Sequence, residues 1–246
     1  MAQKFGQHFL TDTKIIKKII SLLPSNRFIL EIGPGRGALT EQLIKISRAV
    51  VCVEKDARLA DFLKDKFKSE KLKIIKADIL KTENVFDEPF SIISNLPYSI
   101  TTEMIYRLAS WNGWDDCVLT VQKEAARRIL SEAGRPEYGR SSVTAGVFFK
   151  GEEKFSFSRQ CFTPPPSVDA SVIKFENKKL NIDIGKWRKF LAAVFFSKRK
   201  ILLNNLKRAG ITGGHEILKK AGIKNNARPH QVSPGDFLCL FRELDF

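Results

Sequence analysis

The chain has 246 residues, 43% of them hydrophobic, with 42 Lys and Arg against 27 Asp and Glu for a net charge of +15. That length buries one large core, or one core and an appendage, and the positive surplus suits a polyanion such as nucleic acid. No apolar run approaches a membrane span, Met1 to Phe9 is too short and polar for a signal peptide, and Cys52, Cys117, Cys161 and Cys239 lie far apart, so the expectation is a cytoplasmic protein with reduced thiols and without a metal centre or a membrane partner.

Lys4 to Leu10 forms a polar-aromatic arm. Thr11-Asp12 then reads as a cap for a helix whose apolar positions Ile15, Ile16, Ile19, Ile20 and Leu23 recur at helical spacing before Pro24. Phe28 to Ile32 reads as a buried strand running into Gly33-Pro34-Gly35-Arg36-Gly37, with a helix from Ala38 to Ile46 behind it. Glycines at a strand-to-helix turn let backbone N–H groups come close to a ligand where a Cβ would block the approach. The dinucleotide fingerprint places its third glycine one position later than this turn does. A second strand, Ala49 to Val53, delivers Glu54, placed to accept hydrogen bonds from the ribose of a nucleoside cofactor, NAD and S-adenosylmethionine alike. A helix from Ala57 to Phe67 and a strand from Leu72 to Ile75 lead to Asp78, which either accepts from an adenosine amine or caps the turn at Ile79-Leu80.

A fourth strand, Phe90 to Ile93, opens into Ser94-Asn95-Leu96-Pro97-Tyr98. An exocyclic amine such as adenine N6 is a poor nucleophile because its lone pair is delocalised into the ring. Either the stretch is an ordinary turn, or the Asn95 side-chain oxygen and a backbone carbonyl beside Pro97 both accept from such an amine while Tyr98 stacks on its base. A helix from Thr101 to Ala109, a strand from Cys117 to Val121 and a helix from Lys123 to Ser131 continue the alternation, which implies a parallel, doubly wound α/β sheet with its site at the strand carboxyl ends. Gly33, Glu54, Asp78 and Asn95 each follow a successive strand and converge on that rim.

Past Gly134, the segments Tyr138 to Arg140, Val143 to Phe149, Phe155 to Phe157 and Ser171 to Phe175 read as antiparallel strands completing the sheet. Between them, Cys161 to Val168 is a stiff, proline-rich stretch. It carries Phe162 either as a core residue or as a second ring opposite Tyr98 around a flipped base. A polar linker from Asn177 to Asn181 separates an expected domain 1–176 from an expected helical domain 177–246. The segment 181–246 holds 13 Lys and Arg against 5 Asp and Glu. Within it, Lys198, Arg199, Lys200, Lys207 and Arg208 bracket apolar residues on a helix with one packed face and one face that is either simply solvated or free to bind phosphate.

The ordered set Phe5 to Leu10, Glu31 to Gly37, Asn95 to Tyr98, Gln122-Lys123-Glu124, Tyr138-Gly139-Arg140 and Phe162 to Pro166 resembles the ribosomal RNA adenine N6 dimethyltransferases. Within them it is most similar to the small-subunit branch whose loss gives kasugamycin resistance. The resemblance implies a Rossmann-like class I methyltransferase with a mostly parallel seven-stranded sheet and a small C-terminal α-helical domain. It implies S-adenosylmethionine as cofactor, and dimethylation of two adjacent adenines near the 3′ end of small-subunit (16S) rRNA in the 30S particle; separately, no heptad pattern or large apolar stripe suggests more than a monomer. It implies that His8 and Leu10 touch the cofactor, that Gly33 and Gly35 hold its methionine part, Glu54 its ribose and Asp78 its adenine. Asn95 would stand where cofactor and target meet, the Leu96-Pro97 backbone would help orient N6, and Tyr98 and Phe162 would stack the base. His8 stands where the family usually carries Asn. Phe195 to Lys200 followed by Asn204-Asn205-Leu206 separates this reading from the large-subunit, macrolide-resistance branch. A non-catalytic RNA-binding assembly factor and an NAD-dependent oxidoreductase are the other competitors.

Overall fold

The structure is a computed structural model in which residues 8–83 and 85–244 are described. Lys4, Phe5, Gly6 and Gln7 of the arm lie outside the described residues. The short strand β1 (Phe9–Leu10) precedes α1 (Thr13–Ile20), whose amide groups at Lys14 and Ile15 donate to the Asp12 carboxylate, so the sequence-marked cap is the observed one. Then β2 (Phe28–Ile32), α2 (Thr40–Ile46), β3 (Ala49–Glu54), α3 (Ala57–Lys66), β4 (Leu72–Lys76), β5 (Phe90–Asn95), α4 (Thr101–Ser110), β6 (Trp114–Gln122) and α5 (Lys123–Ile129) alternate as expected. After them come α6 (Arg140–Phe148), β7 (Phe149–Phe157), β8 (Phe162–Thr163) and β9 (Ala170–Asn177). The chain ends with α7 (Ile184–Val194), α8 (Leu202–Arg208), α9 (Gly214–Lys220) and α10 (Pro234–Glu243).

Seven strands form one sheet in the order β4-β3-β2-β5-β6-β9-β7, and β1 pairs with β8 in a separate two-stranded sheet. The strands β2, β3, β5 and β6 are almost wholly buried, as expected of parallel strands covered on both faces, and β9 runs antiparallel to β6. The parallel register is unbroken from β4 to β5, with Ile32 opposite Val53 and Ser94 and Glu54 opposite Lys76, while the β5–β6 pairing shifts by one residue between Phe90 and Ser91 before Asn95 lies opposite Thr120. All four strands from β4 to β5 therefore finish at one level.

Residues 138–140 and 143–148 correct the sequence reading: Tyr138 and Gly139 belong to no strand, and Arg140 to Phe148 are helical, in α6, so only Phe149 onward is extended. The helix buries Ser141, Ser142, Val143, Thr144, Ala145, Val147 and Phe148, so no polar face marks its period, and its β-branched residues mimic a strand. Its hydroxyls are satisfied locally. Ser142 accepts from the Gly139 N–H at 3.0 Å and donates to the Arg128 carbonyl at 2.5 Å, while Thr144 donates to the Arg140 carbonyl at 2.9 Å.

The chain divides into two compact units. The first runs through Met104 and includes Trp111–Ala126 and Gly151–Asn177. The second takes Ile105–Ser110, Arg127–Lys150 and everything from Lys178 onward, so it draws on segments before residue 177 as well as after it. Its core is aromatic: Trp187 meets Phe241 edge-on at 5.2 Å, Phe190 meets Phe237 and Phe241, and the Trp187 indole donates to Thr144 at 3.1 Å. All four cysteines are free thiols, with Cys52 and Cys117 buried and Cys239 exposed. No described helix is long and apolar enough to cross a membrane.

Among the polar side chains buried in the sheet of the first unit, Glu31 on β2 carries an ionisable group at 1% exposure. It accepts from the Thr40 hydroxyl at 2.6 Å and from the Cys52 thiol at 3.4 Å. Burial, with the Glu54 carboxylate contributing repulsion, pushes its carboxyl up from 4.5 to about 7. Between these two values the folded chain keeps a proton that the unfolded chain has released, so stability falls as pH rises through that window. Denaturant unfolding is therefore expected to show the wild type losing roughly 2–3 kcal/mol relative to Glu31→Gln between about pH 5 and about pH 8. Parallel pH profiles for the two proteins would contradict this.

Candidate active site

The strand ends of the first unit line a cavity of about 730 Å³. His8 and Leu10 from the arm, Gly33 and Gly35, Glu54, Asp78, Asn95 to Tyr98 and Phe162 all lie on its wall. Every residue of the first unit that the sequence singled out for this site is thus brought together.

The glycine turn is fastened at both sides. The Gly33 N–H donates to the Val53 carbonyl at 3.0 Å, and the Gly35 N–H donates to Glu54 Oε2 at 3.1 Å. Glu54 Oε1 accepts from the Asp56 N–H at 2.9 Å. A carboxylate that is 6% exposed is thereby held by backbone donors on both of its oxygens. Burial pushes this carboxyl up despite those bonds. Gly35 has φ +59°, and a Cβ there would lie 3.1 Å from the Phe9 ring. The Arg36 guanidinium covers the same ring at 4.5 Å, so the arm closes directly on the turn. Phe9 and Arg36 received no role from the sequence. Phe9 was findable as the residue that alternates with His8 and Leu10 on a strand, whereas nothing in the sequence pairs it with Arg36.

Asp78 realises the capping alternative: Oδ1 accepts from the Leu80 N–H at 3.1 Å, while Oδ2 pairs with Lys55 at 2.9 Å. The Lys55 ammonium holds the carboxyl below its ordinary range. Asp78 is still on the cavity wall, with Lys55 beside it.

Asn95 ends β5, half-buried. Its Nδ2 donates to the His8 carbonyl at 3.3 Å, and among the described residues Oδ1 accepts no bond. The Leu96 N–H continues the ladder to the Thr120 carbonyl at 3.0 Å, and the Pro97 carbonyl accepts from Ile100 at 3.2 Å, which turns the chain through a 3₁₀ turn at Tyr98–Ile100. His8 is fixed in turn. Its Nδ1 must carry a proton to donate to the Pro164 carbonyl at 2.8 Å, and its ring stacks with Tyr98 at 6.0 Å between centroids. The Tyr98 hydroxyl is buried on this wall without a hydrogen-bond partner among the described residues, and burial pushes its phenol up.

Phe162 takes the core alternative more fully than the stacking one. It is 2% exposed and stacks on Phe157 at 5.5 Å, because pairing of Leu10 with Phe162 between β1 and β8 turns both side chains into the same apolar cluster. Tyr98 and Phe162 each hold another ring, and they share the cavity wall rather than a ring contact.

In the second unit Arg199, Lys200, Lys207 and Arg208 are exposed, but only Lys207 and Arg208 lie on a helix, α8, residues 198–200 forming a turn ahead of it rather than the expected helix. Lys198 is part-covered and its ammonium donates to the Pro136 carbonyl at 2.5 Å, an engagement that the sequence did not indicate.

The family model described as ribosomal RNA adenine dimethylase matches residues 1–245. A ribosomal RNA small subunit methyltransferase A from Mycoplasma mobile is 37% identical over 248 residues, 99% of this chain and 98% of that protein. Among solved structures, a dimethyladenosine transferase from Plasmodium falciparum superposes with a TM-score of 0.83 at 26% identity, covering 95% of this chain and 96% of that one. The 23S rRNA methyltransferase ErmE superposes with a TM-score of 0.72 at 27% identity, covering 97% and 100%. With the glycine turn, the carboxylate beyond the second parallel strand and the Asn-Leu-Pro-Tyr rim all on one cavity, the chain belongs to the ribosomal RNA adenine dimethylase family.

Proposed function

We propose that this chain dimethylates N6 of two adjacent adenines near the 3′ end of small-subunit rRNA, in the 30S particle, with S-adenosylmethionine as methyl donor and as a monomer in the cytoplasm. The observation that carries the chemistry is the Asn95 amide. The His8 carbonyl takes its Nδ2, which fixes the amide's orientation and leaves Oδ1 as the acceptor for an incoming N–H. Choice of the small subunit rests on the Mycoplasma mobile relative and on the segment Phe195 to Lys200.

The cavity fits the cofactor. Its volume, about 730 Å³, lies within the usual range for a ligand of that size. Gly35 leaves room that a side chain would fill against Phe9, and Glu54 offers lone pairs to ribose hydroxyls. Asp78 would take the adenine end, and the Gly33 to Gly35 turn with His8 and Leu10 would hold the methionine end. Glu54 and Asp78 contribute carboxyl groups to the wall of a cavity proposed to take a cationic ligand. When bound, S-adenosylmethionine supplies an electrophilic methyl carbon on a sulfonium.

The protein's share is alignment. Asn95 Oδ1 and the carbonyl of Leu96, which precedes Pro97, accept the two N6 hydrogens and draw the nitrogen lone pair out of conjugation with the ring. Tyr98 stacks the base, and Phe162 closes the wall behind it. After transfer the surplus proton leaves to water, so no strong base is required of these residues. Arg199, Lys200, Lys207 and Arg208 bind the RNA backbone, with Lys198 beside them.

Incubation with methyl-labelled S-adenosylmethionine is expected to label unmethylated small-subunit particles and not large-subunit RNA, and Asn95→Ala is expected to lower that transfer at least about 10²-fold while cofactor affinity stays within about threefold. Label entering only large-subunit RNA would assign the chain to the macrolide-resistance chemistry, and unchanged turnover would remove the role of Asn95. Reversing charge with Arg199→Glu and Lys200→Glu is expected to weaken RNA binding and flatten its log–log salt dependence by about 1 to 2. An unaltered slope would make those side chains a solvated surface.

A further inference from the structure

Two consecutive phenylalanines in the second unit have opposite surroundings. Phe195 packs on Phe237 at 5.3 Å and toward Tyr138 at 6.5 Å, whereas Phe196 is 59% exposed, the largest exposure of any large hydrophobic side chain among the described residues. Its position is not that of a loose loop tip. Asn205, itself 2% exposed, donates from Nδ2 to the carbonyl of Val194 at 2.7 Å and to that of Ser197 at 3.0 Å, so the backbone is fastened on both sides of the Phe195-Phe196 pair.

The ring is also covered in a particular way. Arg208 sets its guanidinium 3.7 Å from the centroid of Phe196. The helix α8 makes this possible, because Leu202, Leu203, Asn205 and Leu206 are its buried positions while Asn204, Lys207 and Arg208 are exposed. An exposed aromatic ring layered with a planar cation, on a segment that also carries Arg199, Lys200 and Lys207, is complementary to a ligand that is anionic and offers a free π-face.

We propose that Phe196 and Arg208 form a stacking platform for an unpaired nucleobase of the RNA substrate, a subsite of the second unit. Paired RNA meets the charge requirement but keeps its base faces stacked on one another. Cations alone would hold phosphates without any need for an exposed ring. A single-stranded segment satisfies both, its phosphates facing the basic side chains and one base extending the ring–guanidinium stack. The inference rests on the proposal that RNA is the substrate, and its test separates the two.

Binding of the full-length protein to a fluorescent single-stranded oligoribonucleotide of about twelve residues, and to a fully paired stem of equal mass, is followed by anisotropy at several salt concentrations. Phe196→Ala is expected to weaken single-strand binding on the order of tenfold with the salt slope unchanged, and to leave stem binding as it was. Phe196→Trp is expected to restore affinity. Because Trp111, Trp114 and Trp187 are buried, the new indole reports alone at the surface, and single-stranded RNA is expected to quench it while the stem does not. Equal single-strand affinity for wild type and Phe196→Ala would overturn the proposal, as would equal losses on both RNAs. Methyl transfer to small-subunit particles by the unaltered protein, measured alongside, reports on the proposed reaction alone: its absence with the stacking difference intact strikes that reading and leaves the platform standing.

Discussion

The site depends on the common finishing level of β2, β3, β4 and β5. Parallel pairing without a slip sets Ile32 against Val53 and Ser94, and Glu54 against Lys76, so the residues just beyond each strand meet around one cavity. A shift of one residue in any of these pairings would turn every side chain of that strand to the opposite face. Ser94 adds a side-chain lock at the same level, donating to the Ile32 carbonyl at 2.7 Å. Glu54 then couples the glycine turn to the end of β3 through its bond from the Gly35 N–H. The cost of this arrangement is electrostatic, because it leaves the Glu31 and Glu54 carboxyls buried and raised in pKa on one wall.

A second layer of organisation comes from the arm. Antiparallel pairing of β1 with β8 brings Phe9 onto the glycine turn, and the same two residues of backbone hand the His8 carbonyl to Asn95. A residue of the arm, His8, therefore orients the Asn95 amide that the proposed chemistry uses as its acceptor. His8 does this through its main chain, while its ring is engaged by Pro164 and Tyr98. This explains how a residue other than Asn can occupy the position, since a backbone carbonyl is indifferent to the side chain attached to it.

Much of the fold was legible in the sequence because its strands are short apolar runs bounded by glycine, proline or polar residues, and its helices mostly carry one polar face. Glu54, Asp78 and Asn95 were legible as residues beyond those runs. The misreading of 143–148 has the opposite cause: a helix buried nearly all round shows no period, and Val143, Thr144 and Val147 look like a strand. Pairings between distant segments were not legible either. Asp78 with Lys55, Lys198 with Pro136, and Phe162 with Phe157 each engage a side chain that local sequence presents as available. The exposed Phe196 was hidden for a similar reason, since its neighbour Phe195 is packed inward and only the fold tells the two apart.

The central claim is that the glycine turn, the end of β3 and the Asn95 rim together hold one cofactor beneath the arm. Amide hydrogen exchange with and without S-adenosylhomocysteine addresses it residue by residue. The account predicts slowed exchange at residues 9–11, 33–37, 54–56 and 78–80, with little change in the second unit. Protection confined to other segments, with the glycine turn exchanging as fast as in the free protein, would contradict it.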